Sequence, residues 1–146
     1  MTTIIVLSLV WFLFASLDGF VQAYYYDLYP ITKQHRNLHP FFNLVRAIPA
    51  GLMCYEVLMI SPEEGWTFVW VPAALYGLAL IMTFSFFHNG FYYVTRNKLQ
   101  PSLYPKGFKD KSTSSTALMD LGFKLRTSLM IIGIFFIIGV ILQIVE

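Results

Sequence analysis

Strongly polar residues interrupt this chain at wide intervals, and the stretches between them are longer and more apolar than a soluble core helix requires. The first such stretch runs from about Thr3 to Tyr26, interrupted by Asp18 and Gln22. The second runs from about Pro40 to Ile60, with proline in a first turn where its missing N–H costs nothing. The third starts at Trp66 and reaches about His88, with an extension through Tyr93 open. The fourth begins at about Leu121 or Ser128 and ends at Val145. Each is about 20 residues or more, enough to cross roughly 30 Å of hydrocarbon at a rise of about 1.5 Å per residue. The pattern predicts an all-α integral membrane four-helix bundle, one domain over 1–146, with spans at about 3–26, 40–60, 66–90 and 121–145. Ser61-Pro62-Glu63-Glu64-Gly65 reads as a tight turn between the second and third spans. The later members of Ser112-Thr113-Ser114-Ser115-Thr116 read as a cap for a helix starting near Ala117.

Residues 4–15 followed by Val21-Gln22-Ala23 have the form of a signal peptide. No Lys or Arg precedes the apolar core, so the segment is read as a retained span.

Composition sharpens the class. Of 146 residues 57% are hydrophobic and 12% charged, against about 25% charged in a soluble domain. The mean hydropathy of +0.62 agrees. Cys54 is the only cysteine, which excludes an intrachain disulfide and a thiolate metal cluster.

The placement of charge predicts orientation. All ten basic residues fall in or near two connections, 27–39 and 91–120, while Glu63, Glu64 and Glu146 mark the opposite side. The positive-inside bias then puts both connections in the cytoplasm and both termini outside, with a long basic connection between the third and fourth spans. A bacterial inner membrane is the default assignment.

Within that topology Arg46 sits about two turns into the second span, a depth at which a cation needs a partner. Asp18 lies at a matching depth in the first span, and a guanidinium can bind a carboxylate through two parallel hydrogen bonds. Helical spacing extends the stripe. Asp18, Gln22 and Tyr25 share one face of the first span, and His39, Asn43 and Arg46 one face of the second. Ser85, His88 and Tyr92 do so on the third, with Arg96 next if the helix continues. The candidate ligand-binding set is therefore Asp18, Gln22, His39, Asn43, Arg46, His88, Tyr92 and Arg96. Up to Arg126 the fourth span offers no such stripe, so it is expected to close the bundle from the lipid side. Gly133 and Gly139 are six apart, not the four of a close-packing motif.

Two readings of this cluster stand side by side. It is a ligand or ion site, or it is interhelical packing glue, with contacts each worth about 0.6 kcal/mol. His35 and His39 have a spacing that can chelate a metal on a helix, but Pro40 follows them and no second histidine pair exists, so no metal is assigned. The basic connection with Phe91, Tyr92, Tyr93, Tyr104 and Phe108 suits anionic lipid headgroups rather than nucleic acid. There is no P-loop and no GxSxG, and the sequence names no cofactor.

The stretch Asn43-Leu44-Val45-Arg46-Ala47-Ile48-Pro49 resembles the second span of the membrane-associated glutathione and eicosanoid enzymes, and His88 and Tyr92 loosely echo the third. That family has a glutamate where Arg46 stands and a short third connection, so its cofactor contact is not carried over. The expectation is a small polytopic membrane protein that binds an ion or an anionic, lipid-like ligand at the polar cluster, or assembles around it as a subunit, with a homo-oligomer open. Two alternatives remain. One is a membrane enzyme using His88 as acid or base on a lipophilic substrate; the other is a structural accessory subunit.

Overall fold

Long, mostly apolar stretches with few helix breakers yield four long helices in the computed structural model, which describes residues 2–28, 39–60, 70–110 and 122–145. Helix α1 is Thr2–Leu28, α2 is His39–Ile60, α3 is Val71–Leu99 and α4 is Phe123–Val145, with a short 3₁₀ turn at Gly107–Lys109. Among the described residues there is no strand. All four helices are long and apolar enough to cross a membrane. Their 27, 22, 29 and 23 residues correspond to lengths of roughly 33–44 Å.

Surface composition supports the same class. Leu13, Leu52, Ile81, Phe135 and Leu142 are all at least 60% exposed. Water would penalise such a surface heavily, whereas lipid tails accept it.

The third helix is longer than its hydropathy suggests and starts later. Pro72 sits in its first turn, where proline is tolerated. The helix continues through Leu99, so residues 91–99, expected to lie in a connection, are helical and Arg96 is a helix residue. The tight turn at 61–65, the histidine-bearing connection around His35 and the Ser/Thr run at 112–116 lie outside the described residues.

Helix α3 is the hub. It packs most extensively against α1 and α4, less against α2, and α1 barely meets α2. The apolar core joins Ile4 and Trp11 of α1, Met53 and Val57 of α2, Tyr76, Ala79 and Leu80 of α3, and Ile137 and Val140 of α4. Inside it, Trp11 Nε1 donates to the Leu80 carbonyl at 3.0 Å, and the Ser8 and Tyr76 hydroxyls share a hydrogen bond of 3.1 Å.

Glycines mark the close approaches, and two of them, Gly19 and Gly133, face the backbone of α3. A Cβ on Gly19 would collide with the backbone of His88, 2.9 Å from its carbonyl carbon and nearer its oxygen. A Cβ on Gly133 would stand 2.8 Å from Thr83 Cγ2 and 3.0 Å from the Ala79 carbonyl oxygen, while one on Gly139 would meet nothing within 4 Å. Sequence spacing treats Gly133 and Gly139 as one weak pair; in the structure Gly133 alone brings α4 onto α3. That contact seats α4 against α3. It packs closely on the hub, and the least covered helix is α2, whose Phe41, Leu44, Ile48, Tyr55 and Met59 are exposed.

Candidate functional site

The close approach at Gly19 fixes the level at which polar groups meet. Its neighbour Asp18 lies beside the His88 turn of α3, and the start of α2 brings Arg46 to the same place. Arg46 Nε donates to Asp18 Oδ2 at 2.9 Å. Arg46 Nη2 lies 3.0 Å from His88 Nε2, and that same Asp18 oxygen is 3.4 Å from His88 Nε2. One residue from each of three helices thus converges on a single point.

The guanidinium does not clasp the carboxylate with two parallel bonds. It gives one edge to Asp18 and turns Nη2 to the imidazole. Its remaining nitrogen, Nη1, has no hydrogen bond to a described residue. The Arg46 side chain is 21% exposed while Asp18 is at 9% and His88 at 10%. The cation is therefore the member of the cluster nearest the surface. It also lies over the Phe84 ring, 4.8 Å from the centroid, and Phe84 stacks on His88 at 5.0 Å.

Neighbours complete the arrangement. Gln22, one turn beyond Asp18, donates Nε2 to both carboxylate oxygens at 3.1 and 3.2 Å. His88 Nδ1 lies 3.0 Å from Asn89 Oδ1, and Asn89 Nδ2 donates to Ser85 Oγ at 3.1 Å. A guanidinium can only donate, so its contact with Nε2 requires the ring lone pair there and places the imidazole proton on Nδ1, facing Asn89. The geometry therefore describes a neutral histidine beside a balanced Asp–Arg pair.

No known family model, curated protein or solved structure matches the chain.

Of the eight residues the sequence nominates, the structure brings Asp18, Gln22, Arg46 and His88 into direct contact. Tyr92 lines the cluster, its ring parallel to His88 at 6.4 Å and edge-on to Tyr26 at 6.5 Å. Asn43 is exposed and has no hydrogen bond among the described residues, and the side chain of His39 lies outside them.

Arg96 belongs to a second cluster, two turns or roughly 12 Å further along α3. Its Nη1 faces Asp27 Oδ1 at 3.4 Å, Nη2 donates to Gln100 Oε1 at 3.0 Å, and Gln100 Nε2 donates back to Asp27 at 2.8 Å. The guanidinium also stacks over Tyr104 at 5.0 Å.

Four further participants lie outside the set nominated from the sequence. Asn89 orients His88 from the next position in the chain, a contact no helical-face pattern reveals. Asp27 and Gln100 bracket Arg96 across two helix ends. Arg126, the first charge met on α4's inner face, is fully buried. Its Nη2 donates to the carbonyls of Phe108 at 3.0 Å and Asp110 at 2.8 Å, while Nε and Nη1 have no hydrogen-bond partner among the described residues. It clamps the 3₁₀ turn to the bundle.

An open cleft of about 610 Å³ lies between that turn and the start of α4, lined by Leu103, Tyr104, Lys106, Lys109, Phe123 and Lys124 among others. None of the Asp18 cluster lines it. Among the described residues no group of three His, Cys, Asp or Glu side chains is placed to hold a metal.

Proposed function

We propose that this chain is a small polytopic membrane protein that binds an anionic, lipid-like ligand in the cytoplasmic half of its bundle, with Arg46 as the group that meets the anion. The supporting observation is the posture of Arg46. Asp18 and His88 fix the guanidinium at two of its three nitrogens, leaving Nη1 without a described partner on the most exposed member of the cluster. A guanidinium held this way is preorganised for a carboxylate, phosphate or sulfonate oxygen.

Asp18 sets the position and offsets the charge, Gln22 holds Asp18, and Asn89 holds His88. An acyl chain would lie along the bundle where α1 and α2 make only sparse contact. The basic residues toward Lys109 and Lys124 suit anionic headgroups at the same membrane face.

Catalysis by His88 is less favoured. The residue is 8% exposed and both ring nitrogens are engaged. A second function, a structural tie between helices, draws support from the mutual satisfaction of Asp18, Arg46 and His88.

The two separate by experiment. Native mass spectrometry of the full chain from mild detergent should show co-purified anionic lipid. The neutral pair Asp18→Asn with Arg46→Gln should keep the fold and lose that lipid. A folded double variant carrying the same lipid at the same occupancy would leave Arg46 with a structural role only.

A further inference from the structure

His88 Nε2 faces two groups that make opposite demands on it. Arg46 Nη2, at 3.0 Å, can only donate and so needs the ring lone pair. Asp18 Oδ2, at 3.4 Å, can only accept and is drawn to Nε2 only when that atom carries a proton. The same carboxylate oxygen holds Arg46 Nε at 2.9 Å, so one oxygen is common to both alternatives. The other ring nitrogen is committed to Asn89, whose amide is anchored by Ser85, so the ring is fixed while Nε2 decides. A proton arriving there forms an N–H bond at Nε2, removes the acceptor of Arg46 Nη2 and sets two cations side by side. It also gives Asp18 a second charged donor.

Building on the assignment of Arg46 as the anion-contacting group, we infer that His88 couples anion binding to the uptake of one proton. Protonation at Nε2 hands Asp18 to the imidazolium and turns the Nη2 edge of Arg46 from the ring toward the ligand.

Charge balance gives the direction of the coupling. Asp18 and Arg46 cancel in the unprotonated cluster. A proton alone leaves a net positive charge, and an anion alone a net negative one, in surroundings that solvate either poorly. Together they restore neutrality, so each raises the affinity for the other by the same factor. Among the described residues, the charged groups facing His88 are Asp18 from α1 and Arg46 from α2. On its own helix it meets the Tyr92 ring, which Tyr26 of α1 contacts in turn. From α4, the buried cation Arg126 is engaged with Phe108 and Asp110 instead.

The test uses the full chain in phosphatidylcholine nanodiscs with decanesulfonate as probe, because a sulfonate keeps its single negative charge throughout the titration. Affinity should rise as pH falls, by up to about tenfold per pH unit over the range in which His88 gains its proton, the slope of one linked proton. His88→Gln should bind without that slope. In parallel, imidazole nitrogen NMR of the unaltered chain should show Nε2 of His88 gaining its proton as the Arg46 Nε–H signal shifts.

Sulfonate affinity independent of pH in the unaltered chain would overturn the coupling while leaving the Arg46 anion site standing. Absence of sulfonate binding at every pH would remove the anion site and the coupling with it. A pH slope surviving in His88→Gln, or a His88 that titrates while the Arg46 signal stays still, would overturn the exchange of partners.

Discussion

Replacing Gly19 with alanine should destabilise the protein and loosen the polar cluster together. The new Cβ would sit 2.9 Å from the carbonyl carbon of His88, nearer still to its oxygen, and 3.1 Å from the Tyr92 backbone nitrogen. These are backbone atoms of a regular helix and cannot rotate aside, so α1 must move away from α3 by about 1 Å. Overpacking of this kind costs about 1–3 kcal/mol. The upper part of that range applies here, because α1 and α3 form one of the two most extensive helix contacts. Alanine gains up to about 1 kcal/mol over glycine in helix propensity, which leaves a net loss of about 1–2 kcal/mol. The displacement also separates Asp18 from His88, now 3.4 Å apart. Thermal unfolding in a fixed detergent, followed by circular dichroism, measures the first effect, and the Arg46 Nε–H resonance reports the second. Unchanged stability, within about 0.5 kcal/mol, with an unmoved resonance would show that α1 and α3 do not touch at this glycine.

Gly133→Ala should lower stability by about 1–2 kcal/mol after the helix-propensity gain, because Thr83 and the Ala79 carbonyl stand in its way, whereas Gly139→Ala, with open space around it, should cost nothing in the same unfolding assay. Arg126→Met should release the carbonyls of Phe108 and Asp110, raising hydrogen exchange in 101–110 while changing global stability little, since a buried cation with two guanidinium nitrogens lacking a hydrogen-bond partner among the described residues is exchanged for a thioether. Arg96→Lys should weaken the tie between the ends of α1 and α3, as lysine can reach Asp27 but cannot also bond Gln100 and lie flat on Tyr104; faster exchange at the C-terminal turn of α1 is the expected readout.

Most of the architecture was legible because span length and apolar content depend on local sequence alone. The pairing of Asp18 with Arg46 was legible for a related reason, since a charge inside an apolar run has few places to find a partner. His88 followed from helical periodicity on α3. What periodicity missed depends on how helices pack. Asn43 shares a face with Arg46 in a helical projection, yet α2 is so lightly covered that this position points away from the hub. Arg96 lies on the stripe of His88 but sits two turns further on, where Asp27 claims it. The burial of Arg126 follows from a chain segment folding back over α3, a long-range event with no local signature. The role of Gly133 became visible only once Thr83 was placed opposite it, whereas Gly139 has no neighbour to exclude.

A double-mutant cycle on Asp18 and Arg46 tests the centre of this account most directly. Asp18→Asn and Arg46→Gln should each cost about 3–5 kcal/mol, because each leaves a poorly solvated charge without its counterion; Arg46→Gln falls toward the lower end, since Gln22 still bonds Asp18. The double variant should lose clearly less than the sum of the two, giving a coupling energy of about 2 kcal/mol or more in the detergent unfolding assay. Single losses that add to within about 0.5 kcal/mol would mean that the carboxylate and the guanidinium do not hold the helices together.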